Sequence, residues 1–157
     1  MAVSTFQYRY FISAPASTVY NYLSEPQNYI GLSPLVTEVS TPETSQNAEG
    51  QTVIHYEAVE TFRFLGFIRY PNRIQVDMIL TRPNERIVNL VKSVPNVRME
   101  FVFDFQPDGD GTWVNESVTA DAPLPLKGFV VSQAKAVQQA RGRILKERIE
   151  ALLTHAG

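Results

Sequence analysis

Apolar and polar side chains alternate along most of the chain, and helical periodicity appears in one short stretch near the start and one long stretch at the end. Phe6, Tyr8, Tyr10 and Ile12 recur at period two, opposed by Gln7, Arg9 and Ser13, which predicts a strand with one buried face. It stops at Ala14-Pro15. Proline suits a first helical position because its missing N–H has no partner there, and Val19 with Leu23 adds an i, i+4 apolar pair, so a short helix is expected over about 15–24. Pro26 interrupts it, and Gln27 to Ile30 predict a second brief turn before Gly31 and Pro34. A strand near Leu35–Ser40 and a loop over Thr41–Gly50 follow. Alternating runs at about 51–64, 68–82, 86–94, 97–106 and 112–121 then predict an antiparallel meander. Its turns fall at Leu65-Gly66, Pro83-Asn84, Pro95-Asn96 and Pro107–Gly111. Over about 126–154 the period changes: with Val137 as reference, Val130, Ala134, Ile144, Leu145 and Leu152 all fall within about 80° on a helical wheel. A helix of that length spans roughly 40 Å, enough to cross the whole meander.

The composition narrows what such a chain can do. At 157 residues and 44% hydrophobic, with no repeat or linker, it reads as a single domain over 1–157, large enough to bury a core. No apolar run approaches the roughly 18 residues of a membrane span, so stable membrane insertion is not expected. A net charge of −2 gives no general pull toward nucleic acid or anionic membrane. Cysteine is absent, which excludes disulfides, thiolate nucleophiles and Cys-based metal sites. There are two histidines: His155 lies in the C-terminal tail, and His55 shares the outward strand face with Glu57. No metal site or cofactor is expected. The first residues lack a basic stretch followed by an apolar one, so the expectation is a cytoplasmic protein without a signal peptide.

Candidate chemistry lies in polar residues on faces assigned to the interior, because a buried polar group without a partner costs about 1–3 kcal/mol. Glu60 interrupts Ile54, Tyr56, Ala58, Phe62 and Phe64; Asn72 interrupts Tyr70, Ile74, Val76 and Met78; Glu116 interrupts Val114, Val118 and Ala120. Val97, Met99, Phe101, Phe103 and Phe105 run without exception, and the strand at 86–94 leaves open whether Asn89 or Lys92 faces inward. On the long helix Arg141 and Arg148 lie within about 40° of the stripe's reference, where a guanidinium can pair with Glu60 or Glu116 or hold a ligand anion. Gly142 and the alanines at 134, 136 and 140 predict space beneath the helix. The resulting pocket takes Glu60, Asn72, Glu116 and Arg141 as polar fixtures, and Tyr8, Tyr10, Tyr56, Tyr70, Met99, Phe101, Phe103 and Val137 as walls. Each residue also has a structural reading. The glutamates are then solvated or paired, Asn72 beside Pro71 marks a bulge, Arg148 snorkels to solvent and the aromatics are ordinary core.

Two local segments point further. Phe11-Ile12-Ser13-Ala14-Pro15-Ala16 with Val19-Tyr20, Leu23, Tyr29 and Pro34-Leu35-Val36 resembles the opening of the START/SRPBCC superfamily, and Ile144-Leu145-Lys146-Glu147-Arg148-Ile149-Glu150 is similar to its closing helix. The superfamily includes polyketide cyclases, lipid-transfer START domains and the pollen-allergen group. The resemblance implies an α+β helix-grip fold: a curved antiparallel sheet of about seven strands, two short N-terminal helices, and a long C-terminal helix across the sheet over a cavity. It implies a small hydrophobic or amphipathic partner such as a lipid, polyketide or aromatic metabolite. The fold does not choose among carrier, enzyme and regulator. In a cyclase or aromatase, Arg141 would stabilise an enolate or phenolate while Glu60 or Glu116 moves protons. In a regulatory or chaperone-like module, the apolar hairpin tip Phe64–Ile68 would matter more than the cavity; gate, contact surface and folded-back core are its three readings.

Overall fold

The computed structural model describes residues 2–64 and 66–156; Leu65, half of one predicted turn, lies outside the described residues. The alternating segments become eight strands: β1 (Ala2–Ile12), β2 (Val36–Val39), β3 (Glu43–Gln46), β4 (Thr52–Phe64), β5 (Ile68–Arg82), β6 (Arg86–Ser93), β7 (Val97–Asp108) and β8 (Gly111–Ala122). They form one antiparallel sheet in the order β1-β8-β7-β6-β5-β4-β2, with β3 also paired to β4. The helical stretches become α1 (Ala16–Leu23), a single 3-10 turn at Pro26–Tyr29, and α2 (Leu124–Ala156). This is the α+β helix-grip architecture, a curved sheet folded around one long helix.

Two differences from the sequence expectation share a cause. β3 forms inside the stretch expected to be a loop, giving eight strands where about seven were expected, and β1 starts at Ala2, ahead of the alternation at Phe6. Every β3 residue is exposed, and the strand exists because its backbone pairs with β4 from Glu43↔His55 to Gln46↔Thr52. β1 likewise pairs with β8 along its whole length, from Ala2↔Ala122 to Ile12↔Thr112. A hydrophobic pattern reports burial, whereas these ends are held by backbone hydrogen bonds.

Short turns keep the meander in register. Asn84 and Asn96 adopt positive φ at their hairpins, a conformation asparagine tolerates better than most residues. The β4–β5 register is unbroken from Thr52↔Leu80 to Phe64↔Ile68, so Asn72 and Pro71 mark no bulge.

α2 has two different environments along its length. Its C-terminal part buries Leu145 and Ile149 completely against a core containing Ile12, Val19, Leu23, Leu32 and Val114, each such side chain contributing roughly 1.5–3 kcal/mol. Gly142 belongs to this packed part: a Cβ there would lie 2.8 Å from Tyr8 Cε2 and 3.0 Å from the Tyr10 ring. The expectation that Gly142 leaves open space is therefore corrected, because the glycine lets α2 approach the β1 tyrosines. Arg148 fastens the same end, donating to the Tyr22 hydroxyl at 3.2 Å and to the carbonyls of Asn28 and Ile30 at 3.0 and 3.1 Å. It neither pairs with a sheet glutamate nor extends free into solvent. The N-terminal part of α2, from Leu126 to Val137, stands over the sheet without filling the space beneath it.

Candidate functional site

The alternation that builds the strands also sets the walls of that space. β4, β5, β6 and β7 turn Tyr56, Ala58, Glu60, Ile74, Val76, Asn89, Val91, Met99, Phe101 and Phe103 toward α2, and Val137 and Arg141 face them from the helix. Two joined chambers result. An inner one of about 80 Å³ ends at Tyr29, Ser33, Asn89 and Arg141. An outer one of about 280 Å³ lies between Phe62, Tyr70, Asn72, Val94, Pro95, Leu126, Phe129 and Val130. Glu60, Ile74, Val91, Met99, Phe101 and Val137 border both. The outer volume lies just under the roughly 300–1,000 Å³ usual for small-molecule sites, and the inner chamber extends it into that range.

Arg141 closes the inner end. One guanidinium nitrogen donates to the carboxylate of Glu116, and Nη1 donates to Ser33 Oγ at 2.8 Å. The guanidinium carbon lies 5.1 Å from the Phe101 ring centre and 5.7 Å from that of Phe103, distances at which the aromatic faces favour a cation. Gln138, one turn before Arg141, donates to the backbone carbonyl of Glu116 at 2.8 Å and anchors the helix to β8. Several buried polar atoms nonetheless lack a partner: Arg141 Nε, the second carboxylate oxygen of Glu116, Asn89 Oδ1 and the Tyr10 hydroxyl. Such atoms are rare in folded proteins; these four belong to Arg141, its partner Glu116 and residues near them, while a further one, Asp121 Oδ1, lies apart on β8 opposite Arg98.

Burial governs the electrostatics. It pushes the Glu116 carboxyl up from the ordinary carboxylate range, against the pull of the Arg141 charge and hydrogen bond. Burial alone would weaken the Arg141 charge, but Glu116 outweighs it and Arg141 stays protonated. Glu60 is also raised by burial, opposed by its hydrogen bond with Asn72 and by the Arg141 charge. Tyr10, Tyr29 and Tyr56 are all raised by desolvation and remain neutral hydroxyls. A protonated guanidinium thus faces neutral phenols and a carboxyl that gains a proton easily, an arrangement suited to an acceptor or anion.

The expected site residues divide into two groups. Tyr56, Glu60, Tyr70, Asn72, Met99, Phe101, Phe103, Val137 and Arg141 border the chambers. Tyr8, Tyr10 and Glu116 do not: the tyrosines pack against Gly142, and Glu116 is wholly buried beside Arg141. Asn72 donates to Ser93 Oγ at 2.9 Å. His55 sits on the far face of the sheet with its Nδ1 2.6 Å from an Asp77 carboxylate oxygen. Of the two residues whose phase the pattern leaves open, Asn89 faces inward and Lys92, three positions on, takes the opposite face. The register agrees, because Asn89 pairs with inward-facing Met78 and antiparallel partners share a face. Ser33 and Tyr29 border the inner chamber and Gln138 ties α2 to β8 beside it, and no polar exception in the sequence marks any of the three.

Among the described residues no helix is long and apolar enough to cross a membrane, and no three His, Cys, Asp or Glu side chains are placed to hold a metal ion. The fold and its cavity define a helix-grip container. The family model described as polyketide cyclase/dehydrase and lipid transport matches residues 4–154, and the chain belongs to that family. Among solved structures it is similar to the Zhui aromatase/cyclase from Streptomyces sp. R1128, with a TM-score of 0.74, 14% identity, and 99% of each chain covered. A START superfamily protein from Mycobacterium smegmatis gives a TM-score of 0.70 at 17% identity, covering 94% of this chain and 98% of that one. A protein from Thermus thermophilus gives 0.65 at 21% identity, covering 95% and 99%. At these identities the likeness is one of fold. No curated protein matches the chain.

Proposed function

We propose that the protein binds a small amphipathic molecule, with its apolar body in the outer chamber and a carbonyl, phenolate or carboxylate directed at Arg141. The observation that carries this reading is the buried guanidinium at the blind end of an apolar cavity, with its Nε unpartnered and Asn89 Oδ1 unpartnered nearby. A group held this way gains from any ligand acceptor that reaches it, since a buried donor left unmade costs about 1–3 kcal/mol. The family's lipid transport and cyclase activities both suit such a container. Native mass spectrometry of the purified protein, with displacement of an environment-sensitive fluorophore by fatty acids and polycyclic phenols, tests it. Displacement that weakens in Arg141→Met supports the reading. No bound species and no displacement by either ligand class overturns it.

A second reading is a cofactor-independent cyclase or aromatase acting in the same cavity. What favours it is Glu60, a carboxyl with raised proton affinity in the wall shared by both chambers. Such a group can pass a proton to a polyketide while Arg141 stabilises the enolate. Turnover of a poly-β-keto thioester analogue that is lost in Glu60→Gln, while fluorophore binding persists, would establish it. Equal turnover in Glu60→Gln would exclude that role.

A further inference from the structure

The sheet ends in β1 on one side and in β2 and β3 on the other, and the two edges are unlike. β2 and β3 have four residues each, β2 is shifted in register against β4, and Glu38 and Glu43 put an exposed charge on each strand. Short, irregular, charged edge strands discourage pairing with another chain. β1 has none of these features. Its eleven residues pair with β8 without a shift, contain no proline, and have Arg9 as their one charge. Arg9 leaves the edge open: its guanidinium carbon lies 4.1 Å from the Trp113 ring centre, and Nη2 donates to the Gln106 side chain at 3.4 Å.

Alternate residues of an edge strand direct their N–H and C=O away from the sheet. On β1 these are the odd positions, because the Phe11 carbonyl accepts from Lys146 Nζ at 3.3 Å and the Ser13 N–H, just beyond, donates to Glu150 Oε2 at 3.0 Å. α2 thus covers the C-terminal end of the edge. Val3, Thr5, Gln7 and Arg9 are exposed, and among the described residues no hydrogen bond reaches their outward backbone groups. The outer faces of β1 and β8 carry two charges, Arg9 near one end and Asp121, across from Val3, at the other. Asp121 Oδ1 is buried without a hydrogen-bond partner, although Arg98 stands across from it on β7.

We infer that a second copy of this chain adds its β1 antiparallel to this one, about a two-fold axis at Phe6, and joins the two sheets into one. Val3 of each copy then pairs with Arg9 of the other and Thr5 with Gln7, each pair exchanging two backbone hydrogen bonds. The same register sets Arg9 of each copy beside Val3 of the other, one strand from Asp121, so opposite charges meet at both ends. An unrelated strand offers the backbone bonds without the charge match; a second copy offers both. The contact closes with two copies and leaves no edge to propagate. Lys135, whose Nζ lies 5.5 Å from the Phe6 ring centre, is the like charge brought toward the axis, so association is expected in the micromolar range and not below it. None of this depends on what the cavity binds.

Sedimentation equilibrium of the whole chain, from micromolar to near-millimolar concentration, tests the inference, and a monomer–dimer equilibrium is expected. Thr5→Pro removes an outward N–H but no bond to β8, so its urea midpoint should stay near the parent's while the dissociation constant rises about tenfold. Arg9→Glu, which sets a like charge beside Asp121, should raise it about threefold. Arg143→Ser, on the exposed face of α2, should leave it unchanged. Cysteine trapping reads the register, since the chain has no cysteine of its own. Phe6→Cys faces itself across the axis with Cα atoms about 4.5 Å apart, within disulfide reach, and should yield a cross-linked dimer on mild oxidation. Ser4→Cys, which faces Tyr8 of the other copy, should not. A chain that stays monomeric throughout the range overturns the inference, as does a dimer that Thr5→Pro and Arg9→Glu leave intact. Trapping of Ser4→Cys at the rate of Phe6→Cys overturns it too.

Discussion

The two halves of the space beneath α2 have similar sequence material and different outcomes. Under the C-terminal half, Leu145 and Ile149 are fully buried in one core with Ile12, Val19, Leu23 and Leu32, and Gly142 draws the helix onto Tyr8 and Tyr10. Under the N-terminal half, Val130, Ala134 and Val137 face Ile74, Val91, Met99 and Phe101 across a cavity. Both faces are apolar and alternate in the same way. The difference lies in how far the helix stands from the sheet, and the Arg141–Glu116 pair marks the boundary. Apolar residues therefore stabilise one end of this fold and form a container at the other.

The boundary pair should give the largest effect. Glu116→Gln leaves Arg141 charged and buried without its countercharge, and breaking one side of a buried pair costs about 3–5 kcal/mol. Replacing both residues, as Glu116→Leu with Arg141→Met, should recover most of that stability while abolishing the preference for ligands bearing an acceptor. Urea denaturation of the single and double variants, beside fluorophore displacement, checks both halves. If Glu116→Gln is as stable as the parent, the pair does not hold the boundary between the two halves.

Next come two truncations, one in each half. Leu145→Ala opens a cavity in a filled core and should cost about 3–4 kcal/mol. Val137→Ala removes atoms that already border empty space, so it should cost under about 1 kcal/mol and enlarge the volume open to ligand. Comparable losses by denaturant unfolding would show that the N-terminal half is packed in solution. Gly142→Ala works in the opposite direction, driving a methyl group into the Tyr8 and Tyr10 rings. Overpacking of that kind costs about 1–3 kcal/mol. Tyr8→Ala in the same chain should relieve part of it, a non-additivity readable from the same unfolding curves.

The division between halves is also where the sequence stops being legible. The strand positions other than β3, the long helix and the inward faces of β4, β5, β7 and β8 follow from period-two and helical spacing, because burial writes itself into those periods. Glu60, Asn72 and Arg141 stand out as polar residues on apolar faces, and all three border the cavity. Tyr8 and Tyr10 show the same alternation as the true wall residues, yet they belong to the packed half. Periodicity gives the face on which a side chain lies but not the distance to whatever lies opposite. Gly142 misleads on the same ground, since a missing side chain can open a gap or close one. Ser33 and Gln138 are invisible because a polar residue in a loop or beside a helical stripe has no local pattern to violate.

The smallest effect is expected at Glu60, in the wall of the open half. Burial in the cavity wall holds the Glu60 carboxyl above its ordinary range, against the Asn72 hydrogen bond and the Arg141 charge. The folded chain therefore binds this proton more tightly than the unfolded chain does. The stabilisation is complete below the normal carboxylate range and is lost as pH rises through the raised value. Glu60→Gln, which keeps a neutral side chain of the same shape, should be more stable than the parent at neutral pH. That difference should shrink to nothing as the solution is acidified, and it should be small beside the loss in Leu145→Ala. Glu116 shifts in the same direction and titrates in both chains, so it cancels from the comparison. The same substitution should flatten the pH dependence of binding an anionic probe, because a charged Glu60 repels that probe from Arg141 and a protonated one does not. An unaltered pH profile in Glu60→Gln would place the carboxyl outside the ligand's field and move the polar end of the container to Arg141, Ser33 and Asn89 alone.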